Sequence, residues 1–219
     1  MLDLNFKVEG VEQQPHAAAP LLLFKLRITE SLADREPTTI PAIALRCQIR
    51  MEPTRRRYAP AEEERLLDLF GEPARWGQTL RSALWTHASV VVPPFAGDTL
   101  VDLPVPCSFD FNVGATKYFH ALENGEVPLC LLFSGTIFYT SDEGFLQVSQ
   151  IPWEKEANFR LPVSIWKEMM HLYYPNSAWL CLGRDAFDRL YRFKSAQSIP
   201  TWEQAIETLL DSQFEKVES

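Results

Sequence analysis

Residues 41–52 alternate between apolar and polar positions almost without interruption. Ile43, Leu45, Cys47, Ile49 and Met51 fall on one side, and Ala44, Arg46, Gln48, Arg50 and Glu52 on the other. A strand has a side-chain period of two, so this segment predicts a half-buried strand with one wet, partly basic face. The same alternation predicts strands over 5–11, with Phe6 and Val8 inward, and over 21–29. In the second, Leu22, Phe24, Leu26 and Ile28 face in while Lys25 and Arg27 face out. Breaks at 13–16 and at Asp34-Arg35-Glu36-Pro37 separate them. Three successive strands without crossover helices predict antiparallel pairing in a meander or Greek key.

The period then changes. Pro60 suits the first position of a helix, Glu62, Glu63 and Glu64 suit its positive end, and Leu66, Leu67 and Phe70 form a stripe ended by Gly71 and Pro73. Residues 74–84 predict a second short helix, with Trp76, Leu80 and Leu84 on one side and Gly77 inside it. Strand pattern returns over 87–92 and 101–111. Pro104 and Pro106 each delete a ladder donor, which places the latter strand at an edge or a bulge. Ala115, Tyr118, Phe119 and Leu122 have helical spacing. Residues 129–139 begin apolar on both faces and predict a central strand, and Ser141-Asp142-Glu143-Gly144 turns into a strand over 145–151.

The last third reads as helical. Ile165, Trp166, Met169, Leu172 and Tyr173 form one face. Asp185 is placed to cap a helix carrying Phe187, Leu190 and Tyr191. Thr201 and Gln204 fit a capping box before Trp202, Ala205, Ile206, Leu209 and Leu210. The whole predicts a β-rich α+β fold: an antiparallel β-sandwich of about seven strands with a helical insert and a C-terminal helical cap. A single antiparallel sheet covered by helices is the alternative. The expected division is a β domain over 1–161, its helical insert near 60–84, and a helical cap over 162–219 packed on it.

Charge narrows the classes of partner. The net charge is −8, unevenly spread: residues 1–57 carry nine basic and seven acidic side chains, the remainder twelve and twenty-two. Bulk attraction to nucleic acid or anionic lipid is not expected. The run Arg55-Arg56-Arg57 could hold a phosphate or an acidic partner, or form a solvated loop facing Glu62, Glu63 and Glu64. The four cysteines (Cys47, Cys107, Cys130 and Cys181) are dispersed in apolar runs with no C-x-x-C pair, which predicts reduced thiols and a cytoplasmic protein. The N-terminus lacks the pattern of a signal peptide, and no apolar run is long enough for a membrane span.

Reactive patterns are sparse. His16, His87, His120 and His171 are isolated, and the one conceivable metal cluster joins Cys107, His120 and Cys130 across strands and an intervening helix. Ser134-Gly135 has the dipeptide of a nucleophile elbow but lies mid-strand, where glycine more simply marks a bulge or a close backbone approach. Glu154 and Glu156 flank Lys155 in a loop, and no phosphate-binding glycine loop is present. No catalytic residue, resident metal or cofactor is expected. Trp153, Trp166, Tyr173, Tyr174 and Trp179 crowd together with Met169 and Met170, a composition suited to adaptable contact surfaces. Met170 and Tyr174 lie off the main helical stripe and are expected to be exposed.

Several short segments are distinctive in combination. They are Leu22-Leu23-Phe24-Lys25-Leu26-Arg27-Ile28, Ala44-Leu45-Arg46-Cys47-Gln48-Ile49-Arg50, Arg55-Arg56-Arg57-Tyr58, and Leu69-Phe70-Gly71-Glu72-Pro73-Ala74-Arg75-Trp76. Leu103-Pro104-Val105-Pro106-Cys107, Leu132-Phe133-Ser134-Gly135-Thr136 and Ile151-Pro152-Trp153-Glu154-Lys155-Glu156 complete the set. Over nearly its whole length the chain resembles an uncharacterised bacterial family encoded beside genes for high-affinity uptake nickel–iron hydrogenases. The resemblance transfers no catalytic residue. It implies an accessory to hydrogenase expression, maturation or assembly. The expected function is therefore non-enzymatic binding of another protein, which the resemblance implies to be a hydrogenase subunit or maturation factor. The expected contact residues are Lys25, Arg27, Arg46 and Arg50 as a basic stripe, with Trp153, Met170 and Tyr174. The alternatives are a metal- or small-molecule-binding enzyme whose site forms only in three dimensions, and a self-assembling structural subunit.

Overall fold

The computed structural model describes residues 2–31, 36–108, 113–141, 143–177, 180 and 182–217, with side chains for all of these but 113 and 213–217. Asp34 and Arg35 of an expected loop, Phe109, Asp110 and Phe111 of an expected strand, Asp142 of the expected turn, and Trp179 and Cys181 lie outside the described residues.

Among the described residues ten strands form antiparallel sheets. A three-stranded sheet contains β1 (Leu4–Gln13), β2 (Leu21–Glu30) and β7 (Asp98–Pro106), with β2 in the middle. A five-stranded sheet runs β10 (Glu156–Pro162), β8 (Glu126–Thr140), β4 (Ala42–Met51), β5 (Ala83–Val92), and β9 (Leu146–Gln150) pairs with the far half of β8. Two short strands, β3 (Thr39–Ile40) and β6 (Phe95–Ala96), pair with each other. The inner faces of the two larger sheets share one core. Phe6 on β1 stacks on Phe133 of β8 at 4.5 Å, and Phe24 on β2 meets Trp85 of β5 and Phe159 of β10 edge-on. The fold is thus the expected β-rich α+β sandwich.

In β4 and β2 alternation fixed the faces correctly. Ile43, Leu45, Cys47, Ile49 and Met51 are all buried, as are Leu22, Phe24, Leu26 and Ile28. The strand with two prolines, β7, lies at an edge, where a missing N–H costs no ladder bond on its open side. β8 is central, with β4 on one side and β9 and β10 on the other.

The insert holds α1 (Pro60–Phe70), a 3-10 turn at Pro73–Arg75 and one helical turn, α2 (Trp76–Thr79). The helix expected over 74–84 stops at Thr79, because the chain turns extended at Leu80 and enters β5 at Ala83. α3 (Val113–Ala121) buries Tyr118 and Phe119, and α4 (Val163–Tyr173) packs on β1, β2 and β10. The Tyr173 hydroxyl donates to the Gln14 carbonyl (2.7 Å) and accepts from the Ala17 N–H (2.9 Å), clasping the β1–β2 connection.

The chain divides into two compact units, Met1–Asn176 and Ser177–Ser219. α4 therefore belongs with the sandwich. The second unit is a helical pair, α5 (Arg184–Ala196) and α6 (Trp202–Val217), joined by mutual contacts of Phe187, Tyr191 and Trp202. Asp185 lies in the first turn of α5, whose N-cap is Gly183. Thr201 caps α6 by accepting the Gln204 N–H at 3.2 Å.

Candidate partner-binding surface

The four basic residues expected to form a stripe do not share a sheet. Lys25 and Arg27 lie on β2, whereas Arg46 and Arg50 lie on β4 of the other sheet. Both basic charges on β2 are offset by acids from both neighbouring strands. Lys25 pairs with Glu12 of β1 and with Asp102 of β7 (2.8 Å), and Arg27 with Glu9 of β1 (3.2 Å) and Asp98 of β7 (2.6 Å). Hydrogen bonds that its ammonium donates to Asp102 and Glu12 raise the Lys25 pKa, consistent with a charge already satisfied within the protein. Arg50 bonds Ser82 through its Oγ (2.8 Å) and its carbonyl (3.2 Å). Arg46 is exposed on the outer face of the five-stranded sheet.

The helical candidates also differ from expectation. Met170 is buried, at 5% exposure, and Tyr174 is half-buried against the core. α4 sits among β1, β2, β10 and α3, so its buried arc takes in Val163, Trp166, Met169 and Met170 and is wider than one stripe. Trp153 is the reverse case: it stands 90% exposed in the turn between β9 and β10.

Cys107, His120 and Cys130 are not brought together. Among the described residues no three His, Cys, Asp or Glu side chains gather as a metal site. Cys107 is buried beyond β7, and desolvation pushes its thiol up to about 12, as it does that of Cys47. His120 packs edge-on against Trp166 at 5.0 Å, and burial, then Lys167, lowers its pKa. Cys130 lies on the outward side of β8, 3.9 Å from the Glu156 carboxylate.

Of the arginine run, Arg56 is a buried structural residue. It forms an ion pair with Glu62 at 2.6 Å and donates to the carbonyls of Asn124 (2.8 Å) and Glu126 (2.9 Å). Arg55 donates to Asn158 (3.0 Å), and Arg57 is exposed beside an open cleft that it shares with Arg160.

Charge patterning did not single out β9. Phe145, Leu146 and Val148 are 63%, 64% and 57% exposed. Val148 is paired with Phe138 of β8, which is paired with Ala42 of β4. One row along, Gln150, Thr136, Ala44 and Val91 continue across to β5. The outer face thus carries an apolar row of Val148, Phe138 and Ala42, and one row along the hydrogen-bonded pair Gln150–Thr136 is followed by the apolar Ala44 and Val91.

Among the described residues β9 also pairs on one side alone, leaving an open edge. The Ser141 N–H donates to the Phe145 carbonyl and the Ile151 N–H to the Gly135 carbonyl. In an antiparallel ladder the residues facing the neighbouring strand alternate, so the odd-numbered residues face β8. The N–H and C=O groups of Leu146, Val148 and Gln150 point the other way. The available sequence signal was the absence of any charge from Leu146 to Gln150.

These features define a class: a β-rich sandwich with an exposed, uncharged strand at one side of its larger sheet. The chain belongs to a family of unknown function, DUF6084, which it matches over residues 1–218. A comparison with curated proteins finds no match. Among solved structures, one assigned as the ApaA protein from Bordetella pertussis is similar at 13% identity, covering 73% of this chain and 93% of that one, with a TM-score of 0.26. A likeness at that score carries no argument here. Among the described residues no helix is long and apolar enough to cross a membrane.

Proposed function

We propose that this chain is a non-enzymatic accessory protein that binds another protein, and that its partner is a subunit or maturation factor of an uptake hydrogenase. The observation that carries the binding function is the uncharged strand β9, exposed beside Trp153. A tryptophan left 90% in water gives nothing to the fold, yet tryptophan is among the side chains that contribute most when a partner buries it. Val148 and Phe138, with Ala44 and Val91 one row along, extend the same surface, and Arg46 borders it. The hydrogenase setting comes from the family resemblance of the sequence motifs.

Affinity capture of the full-length protein from its native host, with mass spectrometry, is the direct test. Hydrogenase components should dominate the captured set, and a set of unrelated proteins would overturn the partner assignment. The pair of changes Trp153→Ala and Leu146→Ser should weaken capture by about tenfold or more, with the thermal melt unchanged. Undiminished capture by that variant would remove this surface from the function.

A further inference from the structure

We propose that β9 takes up its partner by strand addition, pairing antiparallel with an extended segment that is neutral in its middle and carries lysine or arginine at its ends. This rests on the protein-binding reading above and names the mode and the chemistry of the bound segment.

The other edges of the two larger sheets are guarded against such pairing. β1 carries Lys7, Glu9 and Glu12 and a bulge between Val8 and Gly10. β7 carries Asp98, Asp102, Pro104 and Pro106. β10 carries Glu156, Arg160 and Pro162. β5 has a register shift around Trp85 and runs alongside β7. Charges, prolines and bulges are the devices by which natural sheets keep their edges unpaired. β9 has none of them: its sequence is Leu-Gln-Val-Ser-Gln, and its register with β8 is continuous. Its outward N–H and C=O groups at Leu146, Val148 and Gln150 are the template that an added strand uses, and Leu146 and Val148 supply side-chain contacts on one face.

Charge selects the occupant. Glu143 precedes the strand, Glu154 follows it, and both are exposed. Among the described residues neither has an ion-pair partner. Lys155 cannot neutralise Glu154, because its ammonium is held by Asp3 at 2.6 Å. A second copy of this chain pairing antiparallel would set Glu143 of one copy beside Glu154 of the other at both ends, which is repulsive. A segment with basic ends meets an acid at each end.

The test uses the full-length protein and short synthetic peptides of alternating valine and threonine, ended by lysine or by glutamate. The lysine-ended peptide should bind and slow amide exchange at residues 146, 148 and 150. The glutamate-ended peptide, and a lysine-ended peptide N-methylated at alternate backbone nitrogens, should bind about tenfold or more weakly. Val148→Pro removes an outward donor and no bond to β8, and should lower affinity similarly. Equal binding of methylated and unmethylated peptides, or exchange protection at residues 55–57 instead, would overturn strand addition. So would the absence of binding by any peptide. In each case intact capture of hydrogenase components from the host would leave the accessory function standing. A dimer of the wild type that Val148→Pro dissociates, seen by light scattering, would overturn the choice of occupant.

Discussion

Replacing Gly135 with alanine is expected to lower stability by about 4 kcal/mol or more, among the largest effects of any single change in this chain. A Cβ at that position would lie 2.1 Å from the Ala44 carbonyl oxygen and 3.2 Å from the Leu45 Cα. Both neighbours are backbone atoms of β4, which is held between β5 and β8, so neither can move without breaking ladder bonds. The Gly135 φ of 142° is also one that side chains rarely adopt. For a chain of this size the melting temperature should fall by roughly 10 °C. Gly10→Ala is the control: a Cβ there meets nothing within 4 Å, and the change should stay within about 1 kcal/mol. Similar melting curves for the two variants would show that β8 can shift away from β4.

Arg56→Ala should cost about 3–5 kcal/mol, because it strands the Glu62 carboxylate in the interior. Glu62 is 2% exposed. Besides Arg56 it accepts the N–H groups of Glu123 (2.7 Å) and Ala59 (3.1 Å), so one carboxylate ties the start of α1 to the connection after α3. Burial alone would raise its pKa. The two N–H bonds and the Arg56 guanidinium outweigh that, and the net shift is downward. A carboxyl with a depressed folded pKa stabilises the native state above its unfolded value. That contribution is fully present above about pH 5 and is lost as pH falls through the folded pKa. Urea midpoints measured from neutral to acidic pH should therefore fall more steeply for the wild type than for Glu62→Gln. Parallel profiles would mean that other carboxylates carry the acid sensitivity. Replacing both members by apolar residues is not expected to rescue stability. It would leave the N–H groups of Glu123 and Ala59, and the carbonyls of Asn124 and Glu126, without their partners.

Much of the sandwich was legible because alternation reports directly on burial. It gave the inward sets of β2 and β4 and the edge position of the proline-bearing β7. It could not say which strands pair, since a face carries no label for its sheet. Lys25 and Arg27 therefore looked continuous with Arg46 and Arg50, although the strands lie in different sheets. The acids that offset the first two, Glu9, Glu12, Asp98 and Asp102, are identifiable only once the register with β1 and β7 is known. Met170 was misplaced because helical spacing defines a stripe, whereas a helix set among several elements buries a broader arc. Leu84 has helical spacing from Leu80, but extended backbone between them puts it into β5, half exposed. In β9 the pattern itself misleads: Leu146 and Val148 alternate with Gln147 and Ser149 as though they faced a core, and they face solvent.

The order in which the sandwich closes bears on its synthesis. β2 lies between β1 and β7, yet β7 begins only at Asp98, and the hydroxyl that clasps the first hairpin belongs to Tyr173. A chain leaving the ribosome carries Leu22, Phe24, Leu26 and Ile28 uncovered until distant segments emerge. At about 5–20 residues per second that interval lasts several seconds or more. Newly made protein should therefore depend on a holding chaperone, whereas the finished fold, sealed by its last long-range contacts, should not.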